Sequence, residues 1–75
     1  MAEEEQIWTL RFLPEQEQYL PGYIDPEQAE DMGDYMEMQV TITRGQANEL
    51  QCLVDNDQAL AIIPPQGEPP AKCDR

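Results

Sequence analysis

The sequence predicts a small α+β fold, mostly β, in which an antiparallel sheet of about four strands carries one short helix and an extended Pro-rich tail. Three observations lead there. Two stretches alternate apolar and polar residues with a period of two, Asp25-Pro26 has the chemistry of a helix start, and Pro64-Pro65 closes the last apolar run. The strands are expected near 6–13, 35–44, 48–54 and 59–63, and the helix near 26–33. Residues 1–63 then form one acidic domain and 64–75 the tail.

The first strand is read from Trp8, Leu10 and Phe12 on one side and Thr9 and Arg11 on the other, with Pro14 ending it. A loop follows in which Pro21-Gly22 turns the chain between Tyr19-Leu20 and Tyr23-Ile24, two apolar pairs able to pack it down. Asp25 offers a capping oxygen, Pro26 suits the first helical position and Gln28 can complete a capping box, so a helix of about two turns is expected, stopped by Gly33. Met36, Met38, Val40 and Ile42 alternate with Glu37, Gln39, Thr41 and Thr43 as the second strand. Arg44-Gly45-Gln46-Ala47 reads as a turn. Leu50, Cys52 and Val54 alternate as a third strand, although Ala47, Leu50, Leu53 and Val54 also fit helical spacing, which leaves a short helix open at 46–54. Asp55-Asn56-Asp57 reads as a hairpin turn into Ala59–Ile63, and the whole order suggests a meander with a helix on one face.

Composition bounds the function. The chain of 75 residues is one domain at most, and a chain of this size buries only about 60–65% of the surface its unfolded form exposes. Sixteen acidic residues against four basic ones give a net charge of −12, beyond the roughly 2–8 that solubility asks of a small domain. An anionic partner is disfavoured, so the expected complement is the basic surface of a protein, with nucleic-acid-binding proteins among the candidates, and neither nucleic acid itself nor a membrane. Met1-Ala2-Glu3-Glu4-Glu5 is acidic where a signal peptide is basic and then apolar, and no apolar run approaches a membrane span, so the expectation is a soluble, cytoplasmic protein. Cys52 reads as a buried reduced thiol and Cys73 as a tail residue; a bridge between them would be worth up to about 3 kcal/mol.

Catalysis is not expected. There is no histidine and no serine, which removes the commonest general base and hydroxyl nucleophile together. Asp55-Asn56-Asp57 is followed by Leu60 where a calcium loop needs glycine, and two cysteines without histidine do not complete a zinc site, so neither metal nor cofactor is expected.

The charge is concentrated. No Lys or Arg occurs between Arg11 and Arg44, while Glu15, Glu17, Asp25, Glu27, Glu30, Asp31, Asp34 and Glu37 all fall there. Glu27, Glu30, Asp31 and Asp34 follow the i, i+3, i+4, i+7 spacing of one helix face, and Glu37 could extend the row along a strand at about 6.6 Å, a spacing of the order of successive phosphates. No basic residue is interleaved to offset the repulsion, which points to a cation supplied from outside. The expected partner-binding residues are therefore Glu27, Glu30, Asp31, Asp34, Glu37, Glu15 and Glu17. In this acidity, small size and lack of catalytic residues the chain resembles the general class of nucleic-acid-mimicking inhibitors of phages and mobile elements, such as anti-restriction, anti-CRISPR and glycosylase-inhibitor proteins. The resemblance is one of composition; it implies charge mimicry and carries no residue role. A second expectation is an accessory or regulatory subunit of a larger complex, held through a strand edge and the aromatic residues Tyr19, Tyr23 and Tyr35. The oligomeric state stays open.

Overall fold

The computed structural model describes residues 4–73, and the reading of the extreme N-terminus at Met1–Glu3 lies outside them. The chain forms a four-stranded antiparallel sheet with one α-helix. Its strands are β1 (Gln6–Phe12), β2 (Glu30–Asp31), β3 (Met36–Ile42) and β4 (Ala61–Ile63), in the order β2-β3-β1-β4, with α1 (Arg44–Asp55) between β3 and β4. The two strongest alternations became the two long central strands. Trp8 lies opposite Val40 and Leu10 opposite Met38, so both apolar rows fall on one face.

Two assignments made on pattern are corrected. Residues 48–54 are not a strand but the body of α1, and the helical alternative is the one the chain adopts. Thr43 caps it: its hydroxyl accepts from the Gln46 N–H, and the Gln46 side chain accepts from the Thr43 N–H at 3.0 Å. The helix also overturns the meander. Both β3 and β4 run antiparallel to β1 and hence parallel to each other with β1 between them, a connection no tight turn can make and a crossing helix can.

The expected helix over 26–33 is a single 3-10 turn, Pro26–Gln28. Its start is as the sequence predicts, with the Asp25 carboxylate accepting from the Glu27 N–H at 3.1 Å. It does not propagate, because the next residues carry like charges at helical spacing, whereas Glu30 and Asp31 can pair with β3. Gly33, at φ +100°, turns the β2–β3 hairpin instead of ending a helix.

The sheet buries one face only. Trp8, Leu10, Phe12, Met38, Val40, Ile42 and Ile62 pack there beneath Ala47 and Leu50 of α1, and Ile24, Ala59 and Ala71 complete the same cluster. Ile7, Thr9, Arg11, Glu37, Gln39 and Thr41 occupy the other, less buried face, where Ile7 is 56% exposed. Gln16, on the 3-10 helix Pro14–Tyr19, is the buried polar side chain: its Oε1 accepts from the Leu13 N–H at 2.8 Å and its Nε2 donates to the Asp57 carbonyl at 2.9 Å.

The cysteine expectation is corrected as well. Cys52 and Cys73 form a disulfide, with Cα atoms 4.7 Å apart. The tail does not hang free, since it runs beside α1 in the same direction and is tied at successive points. Arg44 meets Glu68 and the Pro70 carbonyl, the Asn48 side chain accepts from the Lys72 N–H at 3.0 Å, and Cys52 takes Cys73. The sequence hid this because a helical reading is needed to put Asn48 and Cys52 on one side, one turn apart.

Candidate partner-binding surface

The proposed helical stripe of carboxylates does not exist as such, because its helix is absent; the topology gathers acidic residues in another way. β1 ends and β3 begins at the same end of the sheet, since Phe12 lies opposite Met36. The hairpin holding Asp31 and Asp34 is at that end, and the 3-10 helix with Glu15 and Glu17 leaves β1 there. α1 starts beyond Ile42 at the far end and returns, which brings Asp55 and Asp57 to the same place; the Gln16 bond to the Asp57 carbonyl fastens them. The result is an acidic pole made of Glu15, Glu17, Asp31, Asp34, Asp55 and Asp57, all exposed. Asp55 and Asp57 were not among the expected residues. Only the recognition of α1 as a helix returning along the sheet could have found them.

Glu30 and Glu37 lie one step in from this pole, directly opposed across β2 and β3 on the open face of the sheet. Glu37 is partly neutralised. Its carboxylate accepts from the Arg11 Nε at 2.8 Å, and this bond pushes the Arg11 pKa above its ordinary value. Arg11 also lies over the Tyr35 ring, 5.1 Å from its centre, so Tyr35 is a platform for an internal cation and does not stand free for a partner. Glu30 has no such cation among the described residues. Glu27 belongs to neither group, because the chain before β2 runs away from the pole along β3.

The second basic residue of the fold, Arg44, is spent at the opposite end, 5.0 Å above the Trp8 ring and 3.3 Å from Glu68. No family model, curated protein or solved structure matches this chain.

Of the aromatic loop, Ile24 is buried and Leu20 packs on the core, while Tyr19 and Tyr23 are 47% and 43% exposed. Tyr23 is nonetheless committed at its hydroxyl, which donates to Glu49 Oε2 at 3.0 Å with the Gln46 carbonyl nearby. Loss of water around that end of the ring, then the bond to Glu49 and its charge, push the phenol pKa well above the ordinary range. Tyr19 borders a hollow of about 290 Å³ with Pro21, Glu49, Leu53 and Gln58. No group of three or more candidate metal ligands comes together among the described residues, and no helix is long and apolar enough to cross a membrane.

Proposed function

We propose that this chain is a non-catalytic acidic binding protein that inhibits a partner by occupying its basic nucleic-acid-binding site. The acidic pole is the observation that carries the reading. It collects carboxylates from three separate segments, a loop helix, a hairpin and a helix C-terminus, and among the described residues the ion pairs, Arg11 with Glu37 and Arg44 with Glu68, take in none of them. Such a surface costs the free protein repulsive energy that a cationic groove would relieve, and it steers association in a way that falls off with salt. The absence of histidine and serine and the engagement of both cysteines in a disulfide support a binding role over a chemical one.

A second reading, an accessory subunit of a larger complex, is favoured by Tyr19 and the hollow beside it, and by the partly uncovered strand β3. The two differ in their response to salt. A mimic binds through charge, loses affinity steeply as salt rises and is displaced by nucleic acid; a subunit held by Tyr19 does neither and fails on Tyr19→Ala. Isothermal titration of the purified partner at two salt concentrations, with and without competing oligonucleotide, separates them.

The cytoplasmic placement belongs to the same proposal. The Cys52–Cys73 bridge weighs against it, since the cytosol keeps structural thiols reduced. Counting free thiols in protein quenched directly from its host tests the point: a fully reduced chain supports the cytoplasm, an oxidised one an oxidising compartment.

A further inference from the structure

β3 is covered on its outer side for two residues only. β2 pairs with Met36 and Glu37, and among the described residues no strand lies beside Met38–Ile42 on that side. The register decides which backbone groups look outward. In the hairpin the Met32 N–H donates to the Tyr35 carbonyl at 2.9 Å, which makes the odd-numbered residues of β3 those that bond away from β1. The far side of the sheet agrees, because the Arg11 carbonyl accepts from the Leu60 N–H, leaving the even-numbered residues of β1 to face β3. The N–H and C=O groups of Gln39 and Thr41 thus point outward, where no strand pairs with them among the described residues.

This edge lacks the usual protection. Met38-Gln39-Val40-Thr41-Ile42 contains no charge, proline or glycine, and its register with β1 is unbroken by any bulge. The opposite edge is guarded, for β4 is three residues long and runs into Pro64-Pro65. Where β2 stops, a groove of about 400 Å³ opens, lined by Gln28, Glu30, Glu37, Met38 and Gln39. Two carboxylates therefore stand at the mouth of an unpaired, uncharged strand edge.

We propose that an extended basic segment of the partner adds to the sheet as a fifth strand along Met38–Ile42. Gln39 and Thr41 supply the backbone bonds, and a Lys or Arg of the incoming strand enters the groove against Glu30 and Glu37. The inference rests on the basic partner proposed above and names how that partner is held. A second copy of the chain fits less well, since each copy brings a net charge of −12.

The test uses the full chain and a synthetic ten-residue peptide of alternating lysine and valine, with amide exchange followed by NMR. The expected result is a slowing of the Gln39 and Thr41 amides by about tenfold or more. The same peptide N-methylated at every residue has the same charge but no N–H on either edge with which to pair, and should give no slowing. Thr41→Pro removes one outward N–H and should weaken the binding; the methylated peptide makes the same comparison should that variant not fold. If both peptides bind alike at low salt without slowing Gln39, the edge is wrong and the basic-partner reading stands. If neither binds at low salt, both are wrong. Equal slowing by an alternating glutamate–valine peptide, or slowing with protein concentration alone, also overturns the proposal, the last by identifying a second copy as the occupant.

Discussion

Glu30 and Glu37 face each other across β2 and β3, and only Glu37 has a cation of its own, Arg11 at 2.8 Å. Like charges directly opposed in a sheet destabilise it, so the unpartnered Glu30 works against the fold. Glu30→Lys is expected to stabilise the chain by about 0.2–1 kcal/mol while weakening the partner complex. Urea melts followed by Trp8 emission measure the first effect, since the single tryptophan is fully buried, and titration of the partner measures the second. A variant that loses stability and keeps full affinity would contradict both halves.

The disulfide gives a prediction of larger size. Cys52 and Cys73 are 21 residues apart, and opening a loop of that length costs about 2–4 kcal/mol. Cys73→Ala, or reduction by a thiol, should lower the urea midpoint accordingly while Trp8 emission in the absence of urea stays that of a buried indole, because β1, β3 and α1 supply most of the core and the tail adds Ala71 to it. An unchanged midpoint would mean that the bonds of Arg44 and Asn48 hold the tail without the bridge.

Gln16 joins two turns 41 residues apart in sequence. Gln16→Ala leaves the Leu13 N–H and the Asp57 carbonyl without it, and burial makes such losses cost about 1–3 kcal/mol. The same change should loosen the acidic pole, visible as faster exchange of the amides around Asp57. A loss of stability with no change at Asp57 would place the effect at the Leu13 end alone.

Tyr23 sets a pH dependence. Its phenol keeps its proton to higher pH in the folded chain than in the unfolded one, so the stability it contributes is complete below the ordinary tyrosine value of 10.0 and falls as pH rises above it. Tyr23→Phe should flatten that fall in urea melts taken at increasing alkaline pH. Equal slopes in the two proteins would contradict the assignment of the slope to this group.

These tests also mark where the sequence was legible. β1 and β3 could be read because each buries one face, so alternation repeats the structure directly. Asp25-Pro26 announced a helix start that is real, but a cap fixes only where a turn begins, and strand pairing with β3 won the residues after it. For α1 the signal was present in Thr43 and Gln46, three apart as a capping box requires, yet the alternation of Leu50, Cys52 and Val54 masked it. From that one misreading followed the meander, the two separate cysteines and the omission of Asp55 and Asp57. The acidic residues themselves were identified; their grouping was not, because like charges attract no neighbour and leave only topology to gather them.

Binding of the partner by a chain carrying Lys in place of Asp31, Asp34, Asp55 and Asp57 decides whether the acidic pole holds it, with Trp8 emission confirming that the fold is kept. Affinity is expected to be lost at low salt, and the unaltered chain to be displaced by nucleic acid. Full affinity in the reversed variant, at low and high salt alike, would contradict it.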